Sequence, residues 1–179
     1  MEDRFIEENV KQRLILSGIS ELEEHGIRDF SLRRAALRAQ VSCAAPYRHF
    51  KSKEEYVSEI IADVGSKWEL LSHEISGIFK DNASALVIET AIANLRFRIA
   101  NRNLPLALAH KQESGKSIDE SIAAAVKAYC DKKGIAEPEK NLKVFSALAL
   151  ISGAVGMVTD ENSDEILSLT RQKLKKEFP

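Results

Sequence analysis

An all-α fold is what this sequence predicts, and three observations carry it. Apolar residues recur at i, i+3, i+4 and i+7, while β-branched runs with strict alternation are absent. The chain of 179 residues has only 8 glycines and 4 prolines, and most stand where a helix should stop. Gly26 follows Glu23, Glu24 and His25, Gly134 follows Asp131, Lys132 and Lys133, and Pro105 and Pro138 lie near apparent boundaries. Ser31, Ser42 and Ser52 each precede a helical run, where a hydroxyl can accept from a free backbone N–H. The composition, 44% hydrophobic and 30% charged, is that of a globular chain long enough to bury its own core.

The elements follow in order. A first helix is expected over Asp3–His25, with Ile15, Gly18, Ile19 and Leu22 inward and Ile27 and Phe30 packing beneath it. Ser31 caps a short helix, Leu32–Ala39, and after a turn at Gln40-Val41, Ser42 caps another, Cys43–His49. Two short helices joined by such a turn make a helix-turn-helix. Pro46 falls late in the second of them, so a distorted first turn is expected. Ser52, with Glu55 three residues on, opens a long helix to Lys80, roughly 42 Å at 1.5 Å per residue. Its stripe runs through Tyr56, Ile60, Val64, Trp68, Leu71, Ile75 and Phe79, and it continues across Gly65. Further helices are expected at Ala83–Arg102, Leu104–Gln112, Ile118–Lys133, Glu139–Thr159 and Asp164–Phe178. The Glu139–Thr159 segment is apolar nearly all round and so needs cover on every side, which a second subunit supplies most simply.

Several functions are excluded. The longest charge-free run, Val144–Thr159, is 16 residues and interrupted by Ser and Gly, too short to span a bilayer. No apolar signal segment follows the charged Met-Glu-Asp-Arg start, and two cysteines make no disulfide framework, so a cytoplasmic protein with reduced thiols is expected. His25, His49, His73 and His110 show no metal-binding spacing, no glycine-rich phosphate loop occurs and no catalytic grouping is visible. Neither an enzyme nor a cofactor or metal is expected.

The net charge of −1 hides an uneven distribution. Between Ser31 and Lys53 stand Arg33, Arg34, Arg38, Arg48, Lys51 and Lys53, with His49 beside them and no acid at all. Acidic flanks bound this island: Glu21, Glu23, Glu24 and Asp29 before it, Glu54, Glu55 and Glu59 after it. A basic island on a helix-turn-helix is an electrostatic footprint for phosphate. Cys43, Ala44 and Ala45 are small enough to let a helix approach base edges, and Arg48 can reach a guanine. Tyr47 and His49 suit phosphates of the groove wall, as do Lys53 and the N–H groups opening the long helix. Ser31, Arg33 and Arg34 begin the helix that crosses the backbone in this motif. Two alternatives stand beside this reading. One is a helical protein-interaction module. The other is a redox-responsive regulator using Cys43, a thiol set among arginines.

The stretch Phe30–Glu54, above all Tyr47-Arg48-His49-Phe50-Lys51-Ser52-Lys53-Glu54, resembles the DNA-binding region of TetR/AcrR-type transcriptional regulators. Gly26, Ala36 and Ala39 fit as well. Gln40 replaces the usual turn glycine, and Ala35 the usual branched aliphatic residue. The resemblance implies a helix-turn-helix domain over residues 1–52 and an effector-binding, dimerising domain over 53–179. It implies a bacterial repressor, a homodimer on a pseudo-palindromic DNA operator, released by a small-molecule effector through movement of the long helix. The last two helices would form the dimer, through Leu150, Gly153, Met157, Ile166, Thr170 and Leu174. Trp68, His73, Phe79, Phe97, His110, Tyr129 and Phe145 are candidates for the effector pocket.

Overall fold

A computed structural model describes residues 2–102 and 118–179, and the side chains from residue 9 onward in the first helix. Among the described residues there are eight helices and no strand. The expected helix Leu104–Gln112, and with it His110, lies outside the described residues. The chain divides into two compact units, the first running to Ser66 and the second beginning at Lys67.

The first unit holds α1 (Glu2–His25), α2 (Leu32–Arg38), α3 (Ala45–His49) and the start of α4 (Lys53–Ile78). Helix α1 turns Leu14, Ile15, Ser17, Gly18, Glu21 and Leu22 inward. It ends where expected, on Gly26 in the left-handed conformation (φ 70°), whose N–H bonds the Leu22 carbonyl at 2.8 Å. Phe30 is buried as expected, but Ile27 is 42% exposed, because it lies in the turn and not under the helix.

An aromatic box ties α4 to this unit. Tyr56 stacks on Phe50 at 4.2 Å and meets Phe30 edge-on at 5.3 Å, and its hydroxyl donates to the Leu14 carbonyl at 2.5 Å. Burial of that phenol pushes its pKa up to about 12. Gly18 makes the approach possible. A Cβ there would lie 2.5 Å from Ile60 Cδ1 and 3.1 Å from Tyr56. Because Tyr56, Val57, Ile60 and Val64 are all buried, the first turns of α4 belong to the first unit, and the division falls past residue 52.

The second unit contains the rest of α4, α5 (Ala83–Ala100), α6 (Ile118–Lys133), α7 (Glu137–Met157) and α8 (Ser163–Glu177). Helix α4 runs unbroken through Gly65. The core joins Val87, Ala91 and Leu95 of α5, Ile122 and Val126 of α6, Ala147 and Ile151 of α7, and Leu174 of α8 with Phe178. Asn82 caps α5, accepting from the Ala85 N–H at 2.9 Å. A fork from Arg171 of α8 to Glu89 of α5 ties these helices at their margin and holds the Glu89 carboxyl below its usual range.

Candidate nucleic-acid interface

The turn between α2 and α3 is built by backbone bonds that the sequence departures do not break. Ser31 caps α2 as expected, accepting from the Arg34 N–H at 3.4 Å. At the other end the Val41 N–H bonds the Ala36 carbonyl and the Gln40 N–H the Leu37 carbonyl, each at 3.0 Å. These are the two bonds of a Schellman close, and they require the residue between to be left-handed. Gln40 takes that conformation at φ 56°, at a cost a glycine would not carry. Arg13 of α1 reaches across and donates to the Ala39 and Gln40 carbonyls, satisfying acceptors at the helix end.

Helix α3 differs from the expected Cys43–His49. It begins at Ala45, with Ala44 at the N-cap and no side-chain cap from Ser42. Pro46 explains both. It stands in the first turn, where an N–H would have no helical acceptor, so the late start removes the expected distortion. Ser52 caps α4 as expected, accepting from the Glu55 N–H at 3.2 Å. Glu55 reaches the Lys51 N–H at 2.6 Å, one residue before the usual capping-box donor.

The structure sorts the candidate contact residues into two groups. Arg33, Cys43, Ala44, Tyr47 and Arg48 are exposed, as is Lys51, and His49 is half-buried. Ala45 is buried instead, only 8% exposed, and packs inward beside Pro46. The Ser31 hydroxyl is engaged as a cap. Arg34 is not free either: it grips the fully buried Glu21 and the Asp29 carbonyl. Arg38 forms a two-pronged bond with Glu24 at 2.6 and 2.7 Å, which lowers the pKa of that carboxyl. Lys53 Nζ donates to the Arg28 carbonyl at 3.1 Å and lies over the Phe30 ring. The six basic residues are therefore not equivalent. Arg34 and Arg38 pair with acids of α1 although their side chains stay 48% and 38% exposed, while Arg33, Arg48 and Lys51 are exposed with no such acid in the island.

In the second unit, Phe79 and Phe97 line a groove of about 420 Å³ with Leu71, Ile75, Ile92 and Arg96. Trp68 packs against Phe97 at 5.3 Å and is buried. The other candidates lie elsewhere. His73 is exposed on α4, and Tyr129 packs edge-on against Phe178 in the core. Phe145 is 68% exposed on the outside of α7. Among the proposed dimer residues, Gly153 and Met157 are exposed and Leu150 is half-buried. Ile166, Thr170 and Leu174 are buried in the protomer, since the i, i+4 seam of α8 faces its own core. The outward apolar face consists of Leu142, Phe145, Met157 and Leu169, beside a groove of about 360 Å³ between α7 and α8.

Residues 14–60 match the family model of bacterial regulatory proteins of the tetR family. That stretch spans the end of α1, α2, α3 and the first turns of α4, so the likeness to the family falls on the helix-turn-helix unit. No curated protein matches by sequence. Solved structures share the fold across nearly the whole chain. A TetR transcription regulator from Haloarcula marismortui ATCC 43049 superposes with a TM-score of 0.71 at 15% identity, covering 96% of this chain and 97% of that one. The regulator FadR from Bacillus subtilis, in complex with stearoyl-CoA, gives 0.63 at 15% identity, covering 93% and 97%. Salmonella enterica GusR gives 0.58 at 19% identity, covering 94% and 95%. Within the matched residues, the Tyr47–Glu54 segment closes α3 and opens α4.

Proposed function

We propose that the protein is a TetR-family regulator and a cytoplasmic repressor, a homodimer that holds a pseudo-palindromic operator until a small-molecule effector releases it. The observation that carries the DNA contact is the exposed set Arg33, Tyr47, Arg48 and Lys51 on and beside α2 and α3, with no acid between Ser31 and Lys53. In this reading Cys43 and Ala44 give the backbone room to approach the groove, Arg48 reads a base edge, and Arg33, His49, Lys51 and Lys53 hold phosphates. The outward face of Leu142, Phe145, Met157 and Leu169 supports the homodimer, because large exposed apolar side chains on two adjacent helices call for a partner. Two half-sites would then lie about one helical turn apart, roughly 34–36 Å.

An effector in the second unit is supported by the apolar groove around Phe79 and Phe97 and by the shared fold of FadR, which is solved with stearoyl-CoA. In this reading effector binding acts on the operator through movement of α4, which runs from Lys53 to Ile78. The DNA assignment is tested on the duplex that the parent protein selects from a randomised pool. Lys53→Ala weakens binding to all sequences alike, whereas Arg48→Ala also alters sequence preference. Equal, sequence-blind losses from both would remove Arg48 from base readout. Phe145→Glu yields monomers in light scattering; a persistent dimer would rule out this face.

A further inference from the structure

Glu21 is a carboxylate where the inward stripe of α1 calls for an apolar side chain. It is 0% exposed, between Ser17 and Gly18 on one side and Leu22 on the other. Its Oε1 accepts from the Ser31 N–H at 3.2 Å and from Arg34 Nε at 2.7 Å, and Arg34 Nη2 lies 2.5 Å away. The same Arg34 Nη2 donates to the Asp29 carbonyl at 2.5 Å. One carboxylate therefore holds both the capping residue of α2 and a side chain of its first turn. The remaining oxygen, Oε2, has no hydrogen-bond partner among the described residues, and His25 Nε2 lies 3.8 Å from it. A buried charge left half-satisfied is a poor way to add stability, since well-packed apolar residues in the same space usually do as well or better. What the pair does supply is direction. The guanidinium fork and the Ser31 bond together set the angle at which α2 leaves the turn, and with it the aim of Arg33.

We propose that Glu21 and Arg34 are positioning residues for operator binding. They orient α2 so that Arg33 faces the phosphates, and Arg34 itself does not touch DNA. This rests on the DNA-binding reading of the first unit. The test measures affinity and salt dependence on the duplex selected by the parent protein from a randomised pool. Three full-length variants are compared: Arg34→Met, Glu21→Gln, and the double variant Glu21→Met with Arg34→Met. Thermal unfolding is followed in parallel. The double variant removes the buried charge and its partner together, so it keeps the parent's melting temperature or exceeds it. Its affinity nevertheless falls about tenfold or more, with the slope of log K against log salt unchanged. Glu21→Gln keeps an oxygen acceptor for Ser31 and Arg34 and recovers most of that affinity.

Two results would overturn the proposal. If the folded double variant binds like the parent, the pair is merely structural. If Arg34→Met lowers the salt slope by about 0.9 per lost phosphate contact and Glu21→Gln binds more tightly, then Arg34 is a phosphate ligand restrained by Glu21. A parent protein that enriches no duplex refutes the underlying DNA-binding reading, an outcome distinct from both.

Discussion

Replacing Gly18 with alanine tests how closely α1 and α4 are packed. In an exposed helix the change would stabilise by roughly 0.5–1 kcal/mol, because alanine is the better helix former. Here the new Cβ would lie 2.5 Å from Ile60 Cδ1 and 3.1 Å from both Tyr56 Cε2 and its hydroxyl oxygen. Neither neighbour yields easily. Ile60 and Tyr56 are fully buried, and Tyr56 is anchored by its bond to the Leu14 carbonyl and its stack on Phe50. Overpacking of this kind costs about 1–3 kcal/mol, more than the propensity gain. A net loss of about 0.5–2 kcal/mol follows, and about 2–4 °C of melting temperature per kcal/mol for a chain of this length. The decisive assay is a double-mutant cycle in urea with Ile60→Val, which deletes the clashing Cδ1. That change alone costs about 0.5–1.5 kcal/mol. In its presence the cost of Gly18→Ala should shrink by about 1 kcal/mol, since contacting residues couple by that order. A Gly18→Ala protein more stable than the parent, with no coupling to Ile60→Val, would refute the reasoning.

Two further outcomes are expected. Gln40→Gly removes a left-handed strain of about 1–2 kcal/mol against a smaller entropic loss, so urea unfolding should show a modest gain; a loss would mean that the Gln40 side chain stabilises the turn. Glu89 has a lowered pKa because Arg171 hydrogen-bonds its carboxylate, so its contribution is present above the ordinary value of 4.5 and is lost as pH falls through the depressed folded value. Stability of Glu89→Gln should therefore change less than that of the parent between pH 5 and the acid limit, and parallel curves would exclude the pair from acid unfolding.

Helix positions were legible because the periodic stripes and the stops at Gly26 and Gly134 are local signals, and both glycines do take positive φ. The Ser31–Lys53 island was legible as charge. What the sequence could not show was which charges are spent. Arg34 and Arg38 differ from Arg33 only in the face of α2 they occupy, and their partners Glu21 and Glu24 lie 13 and 14 residues away. One signal was present: Glu21 falls in the inward stripe of α1, and an acid at such a position implies a buried partner. Three of the six dimer residues lie inside the protomer for a related reason. The i, i+4 seam of α8 marks an apolar face without saying whether that face meets its own protomer or another. Ile166, Thr170 and Leu174 proved internal, while Phe145, first placed in a pocket, points outward.

The central claim is that the first unit binds duplex DNA through a small set of basic residues, the exposed Arg33, Arg48 and Lys51 and the half-buried Lys53. It is tested most directly by the affinity for the selected duplex between 50 and 200 mM salt. The account predicts a linear fall of log K with log salt, with a slope of about −0.9 per phosphate contacted, shallower by about one contact's worth per protomer in Lys53→Ala. Binding that ignores salt, or a slope that Lys53→Ala leaves untouched, would contradict it.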